Sequence, residues 1–169
     1  MELLGFAGDV TEVVPFTGDL RRLDHRLRSL HGDGPTALYA AIVRAAKDLQ
    51  PLPDRKVIVV ISDGSNSVAR TDYQQARTAA LQAQASVESI ILVPIDANAG
   101  RDLGGEHAMI QLSQDTGGQF FYADATSPLQ DAMAHLSLAL RSEYLLGYYP
   151  ASTEAGKHSG LNGFRHIQI

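Results

Sequence analysis

The chain contains no cysteine. That removes disulfides, thiolate catalysis and cysteine–zinc sites, and it leaves the compartment open, because a cysteine-free protein survives on either side of a membrane. No stretch approaches the roughly 20 apolar residues of a membrane span. Met1 to Gly8 has neither the basic start nor the apolar length of a signal peptide. Runs of Lys and Arg are missing too, and the net charge of −5 argues against nucleic acid or acidic lipid as the main partner. The remaining composition is that of an ordinary globular protein. At 169 residues one domain is expected, burying roughly 70% of its unfolded surface.

The periodicities alternate between strand and helix. Leu3 to Phe6 and Val10 to Phe16 read as a hairpin around Gly8-Asp9, with Pro15 marking an edge position. Asp19 reads as an N-cap before Leu20, Leu23, Leu27 and Leu30, one apolar helix stripe. Gly32 to Pro35 turns the chain into a second helix with Leu38, Ile42, Ala46 and Leu49 on one face. Val57 to Ile61 is a β-branched run that predicts a strand buried on both faces of a parallel sheet. Thr71 to Gln74 has a capping-box pattern, opening an alanine-rich helix to about Ser86. Glu88 to Ile95 predicts another buried strand, ending at Asp96. A glycine-rich loop from Gly100 leads into a helix that stops at Gly117-Gly118, and Gln119 to Ala123 is a short aromatic strand. Ser127-Pro128 caps the last helix, with Leu129, Met133, Leu136 and Leu140 on its face. Glu143 to Tyr149 and Phe164 to Ile169 are strand-like and flank a polar, glycine-rich stretch, which predicts an appended β-hairpin. This order implies an α/β fold with a mainly parallel sheet and helices on both faces.

In such sheets ligands bind outside the carboxyl ends of the strands. Two segments belong there: Gly34 to Ile42, with Thr36 at a helix start, and Ser62-Asp63-Gly64-Ser65-Asn66-Ser67 after the β-branched run. An acid with hydroxyls is hard-oxygen chemistry suited to a cation such as Mg²⁺. The plainer readings are that Asp63, Gly64 and Asn66 make a turn and that Thr36 is an N-cap or first-turn residue.

The order of an edge strand with Pro15-Phe16-Thr17, a leucine helix, Thr36-Ala37-Leu38-Tyr39-Ala40-Ala41-Ile42 and then Ile61-Ser62-Asp63-Gly64 resembles a von Willebrand factor A (VWA) domain. Asp115 to Tyr122 and Tyr144 to Pro150 make it similar to the bacterial A-related type in particular. The resemblance implies a Rossmann-like domain over residues 1–149, with residues 150–169 as the hairpin extension. It further implies a metal-ion-dependent adhesion site for Mg²⁺ or Mn²⁺, open to an acidic residue of a protein partner. Thr36 would be the threonine ligand and Asp63 an acid acting through water, with Ser65 and Ser67 as accessory oxygens. Export to a bacterial cell envelope is implied as well.

The family's first strand, with its Asp-x-Ser-x-Ser loop, should lie upstream of Leu3 and is absent. Weak or undetectable metal binding is therefore expected, since Mg²⁺ wants near-octahedral oxygen. Two unpaired edges in the middle of the sheet are expected as well, a route to self-association. The two halves could close up, or another chain could fill the gap; a fragment or misplaced start is the expectation carried forward. Asp63 to Ser67 itself spells Asp-x-Ser-x-Ser, but the threonine loop precedes it, as the later-strand assignment requires.

Enzyme readings have less support. Gly156-Lys157-His158-Ser159 lacks the flanking strand, helix and glycine spacing of a phosphate loop. The six histidines show no metal spacing, and no Gly-x-Ser-x-Gly elbow occurs. His107, beside Glu106 at a helix start, is the histidine closest to a ligand face by this reading. The expectation is a protein-binding, adhesion-like module without catalysis. Its alternatives are a metal-free scaffold and, behind that, an α/β enzyme using Asp63.

Overall fold

The β-branched run does form a strand, the third of the five among the described residues. The computed structural model describes residues 1–30, 34–68, 70–93 and 101–142. In chain order these form β1 (Leu3–Phe6), β2 (Val10–Val14), α1 (Leu20–Leu27), α2 (Leu38–Leu49), β3 (Lys56–Ser62), α3 (Tyr73–Ala83), β4 (Ala85–Leu92), α4 (Leu103–Thr116), β5 (Phe120–Ala123) and α5 (Leu129–Ser142). The strands make two sheets. β1 and β2 pair antiparallel, while β3, β4 and β5 form a parallel sheet in that order. The architecture is thus α/β and Rossmann-like, with helices on both faces of the parallel sheet.

One face carries the main core. Ile58 and Val60 of β3, Val87 and Ile91 of β4, and Phe120 and Tyr122 of β5 meet α2, α3 and α4 there. Ala76, Ala80 and Ala83 are all buried, and at helical spacing such small side chains let α3 lie close against its neighbours. On the other face, among the described residues, α5 packs through Ala132 and Leu136 on Ile90 and Ala123. α2 also contacts β1, so it spans both sheets.

Several caps are the ones their residues predict. Asp19 accepts from the Arg21 and Arg22 amides, and Gly117 closes α4 at φ +79°. Other expectations need correction. β3 is not buried on both faces. Its burial alternates, with Val59 43% and Ile61 39% exposed, because α5 packs chiefly on β4 and β5. Among the described residues the antiparallel pair is a sheet separate from the parallel one, which agrees with the expected break between Leu3 to Phe6 and the strand at Val57 to Ile61. Of the α1 stripe only Leu23 is buried; α1 ends at Leu27, and Leu20, Leu27 and Leu30 are exposed. The capping box is Asp72 with Gln75, whose side chains and amides bond reciprocally. α3 stops at Ala83 because Gln84 turns left-handed at φ 57°, which lets β4 begin at Ala85. The predicted strand end at Asp96, the Tyr144 to Pro150 motif, the hairpin at 150–169, Gly156 to Ser159 and His31, His158 and His166 lie outside the described residues.

Candidate functional site at the carboxyl edge of the sheet

The edge is built where β3 runs out. The Ser62 hydroxyl, buried, accepts from the Gly64 amide at 3.2 Å, and the Asp63 carboxylate accepts from the Ser65 amide at 3.0 Å. These local bonds make the tight turn expected of Asp-Gly, with Gly64 at φ +91°. Asp63 itself is exposed.

Beyond the turn, the chain is tied to the Thr36 loop. The Thr36 amide donates to the Ser67 hydroxyl at 2.7 Å. The Ser67 and Val68 amides both donate to the Thr36 carbonyl. Thr36 is not the N-cap of α2. That position falls to Ala37, which has no side chain to offer. The side chain of Asn66 supplies the missing acceptor from across the fold, taking the Tyr39 amide at 3.3 Å while donating to the Val68 carbonyl. The helix end is thereby satisfied by a residue 27 positions away. Sequence inspection singled out Thr36, Asp63, Ser65 and Ser67. The structure brings Thr36 and Ser67 together and leaves Asp63 and Ser65 bonded locally. The sequence marks Asn66 only as a turn former, because a cap contributed from another loop leaves no local pattern.

A third segment closes the edge. A Cβ on Gly64 would come within 2.6 Å of the Glu106 amide nitrogen, so the turn after β3 and the start of α4 pack backbone on backbone. Asp102 caps α4 by accepting from the Gly105 amide at 2.9 Å, and its carboxylate is exposed. Burial, and then the field of Asp102, raises the Tyr39 hydroxyl above its ordinary value. Buried Glu106 is neutralised by Arg101, whose Nη2 donates to it at 2.8 Å; that bond raises the guanidinium further. Asp124, after β5, is held low chiefly by the Ser127 amide, with Thr126 adding. His107 is exposed, and His135 stacks on Phe121 away from the edge.

These groups do not make a metal shell by themselves. Among the described residues no three His, Cys, Asp or Glu side chains gather around a common point. Of the oxygens at hand, Ser67 Oγ is taken by the Thr36 amide and Asp63 Oδ1 by the Ser65 amide. One carboxylate with partly engaged hydroxyls does not fit the near-octahedral oxygen coordination of Mg²⁺.

No family model matches the chain, and no curated protein matches it in sequence. Solved structures do. The protein BatB from Bacteroides thetaiotaomicron superposes with a TM-score of 0.62 at 21% identity, over 84% of this chain and 79% of that one. An aerotolerance-related membrane protein from Bacteroides fragilis gives 0.56 at 23% identity, over 82% and 78%. The kinship is one of fold. No helix among the described residues is long and apolar enough to cross a membrane.

Proposed function

We propose that the chain is a protein-binding module of the VWA kind, with no catalysis of its own and an incomplete metal-ion-dependent adhesion site. The observation that carries this reading is the set of four hydrogen bonds tying the Thr36 and Tyr39 backbone to Asn66, Ser67 and Val68. They give a preformed loop surface at the edge where α/β sheets bind ligands. Thr36 and Asp63 occupy the positions of the family's ligands, with Ser65 and Ser67 beside them. Since Ser67 and Asp63 spend oxygens on loop bonds, Mg²⁺ or Mn²⁺ binds these residues weakly or not at all unless a carboxylate from elsewhere completes the shell. A partner's acidic residue would then meet Asp63 and Asp102 as like charges, so the surface suits a protein that presents basic side chains. Likeness to a membrane protein of an aerotolerance system fits an interaction role at the bacterial cell envelope. The metal-free scaffold differs only in giving Thr36 and Asp63 no ligand role.

The test uses the immobilised full chain with polylysine and polyglutamate as probes, with and without Mn²⁺. Polylysine should bind in a salt-sensitive way, less well to an Asp63→Asn/Asp102→Asn variant, and polyglutamate should not bind. Mn²⁺-dependent binding of polyglutamate, lost in Asp63→Ala, would instead establish a complete metal site. Turnover of a phosphate or ester probe that disappears in Asp63→Ala would make the protein an enzyme and end this reading.

A further inference from the structure

Among the described residues α1 separates apolar from polar side chains more sharply than any other helix, yet it buries the fewest of them. Leu23 is buried where α1 packs on β2, whereas Leu20 is 68% and Leu27 57% exposed. β2 stands on the far side of β1 from the place expected for an upstream strand, so that strand is not the missing cover.

The charge of α1 is as uneven as its packing. Residues 19–30 hold four arginines against two aspartates, in a chain of net charge −5. Asp19 is spent as the N-cap and Asp24 on Arg28, at 3.1 Å. Arg21, Arg22 and Arg26 are exposed and form no ion pair among the described residues.

Helix geometry sets the two kinds of side chain next to each other. Leu20 and Leu27, seven residues apart, fall on nearly one line. Arg21 and Arg28 each follow a leucine by one step, about 100° round, and Arg26 precedes Leu27 by one step, about 100° the other way. Guanidiniums thus flank the leucine line on both sides. A basic amphipathic helix of this kind suits a surface that is anionic outside and apolar beneath, as a bilayer interface is. Long arginine side chains reach back to the level of the lipid phosphates. A partner protein's groove fits less well. It takes anchors along a whole stripe, at i, i+3 and i+7, and here the middle one, Leu23, is already buried in the chain itself. A plane needs only what projects.

We propose that α1 is a membrane-surface contact, lying on an anionic bilayer with Leu20 and Leu27 in the interface and Arg21, Arg26 and Arg28 on lipid phosphates. The net negative charge of the chain keeps the rest of its surface off such a bilayer and so orients this helix towards it.

Sedimentation of the full chain with vesicles tests this. Phosphatidylglycerol mixed with phosphatidylcholine should bind it, and pure phosphatidylcholine should bind it far less. Arg21→Gln and Arg26→Gln should each lower the partition coefficient about fivefold, and the double change Leu20→Ser/Leu27→Ser should lower it about tenfold or more. All three variants should keep the unfolding midpoint of the natural chain, because these side chains are exposed. No binding to the mixed vesicles, equal binding to both lipids, or binding untouched by the substitutions would overturn the proposal. A lowered midpoint in the leucine variant would overturn it too, placing those leucines in a packed interface. Polyglutamate bound without metal as tightly as the mixed vesicles, and released by the same substitutions, would assign α1 to an acidic protein instead.

Discussion

The two faces of the three-stranded sheet differ in how completely they are covered. Against one, α2, α3 and α4 bury Ile58, Val60, Val87 and Ile91 in a continuous core. Against the other, among the described residues, α5 buries Ile90 and Ala123, while Val59 and Ile61 of β3 are exposed. The same run of β-branched residues supplies both surfaces. Burial is therefore decided by what packs against each face, and hydrophobicity along the strand does not reveal it. The covered face holds the carboxyl-edge loops in place through α2 and α4.

Substitutions of one residue type measure the contrast. Leu38 on α2 is fully buried and Leu138 on α5 is 67% exposed. In urea unfolding Leu38→Ala should cost about 2–5 kcal/mol, and Leu138→Ala should stay within about 0.5 kcal/mol. Equal losses would mean that the outer side of α5, where Leu138 lies, is covered in solution. Next in size is Gly64→Ala. It sets a side chain at φ +91° against the Gly105 and Glu106 backbone, and should cost about 2–4 kcal/mol. A near-neutral result would show that the turn after β3 does not rest on α4. Asn66→Ala removes the acceptor that caps α2 from another loop, and a loss of about 1 kcal/mol is expected. No loss would detach the Asn66 segment from the helix end.

The smallest effect is electrostatic and belongs to the covered face. The Tyr73 hydroxyl is pushed up to about 12 by burial first, then by its bond to Asp115. Its folded value lies above the unfolded one. Its contribution is therefore whole below about pH 10 and fades as pH rises towards 12. Asp115 works the other way. Held low chiefly by the Gln111 amide, with Arg77 and Tyr73 adding, it contributes fully above about pH 4 and loses that contribution as acid protonates it. Denaturation midpoints against pH should show the alkaline loss in the natural chain and not in Tyr73→Phe.

Much of the fold was legible because it is written in local chemistry. Asp19 and Asp72 announce helix starts, Gly117 a helix stop, and the alternation of β-branched runs with helical stripes announces the α/β order. Thr36 and Asp63 were recognisable as edge residues by position. What stayed hidden depends on residues far apart in the chain. The Ser67 hydroxyl looks like a spare ligand until the Thr36 amide is found bonded to it. Asn66 looks like a turn residue until Tyr39 is found beneath it. The leucine stripe of α1 reads as a buried face, yet of its four leucines only Leu23 is buried.

The proposed reading has the carboxyl-edge loops tied by their own hydrogen bonds without needing a metal. Calorimetric titration of the full chain with Mn²⁺, with Asp63→Ala as control, tests it most directly. No saturable heat at millimolar Mn²⁺, and the same trace for both proteins, is the predicted result. A one-site isotherm in the natural chain that vanishes in Asp63→Ala would contradict it.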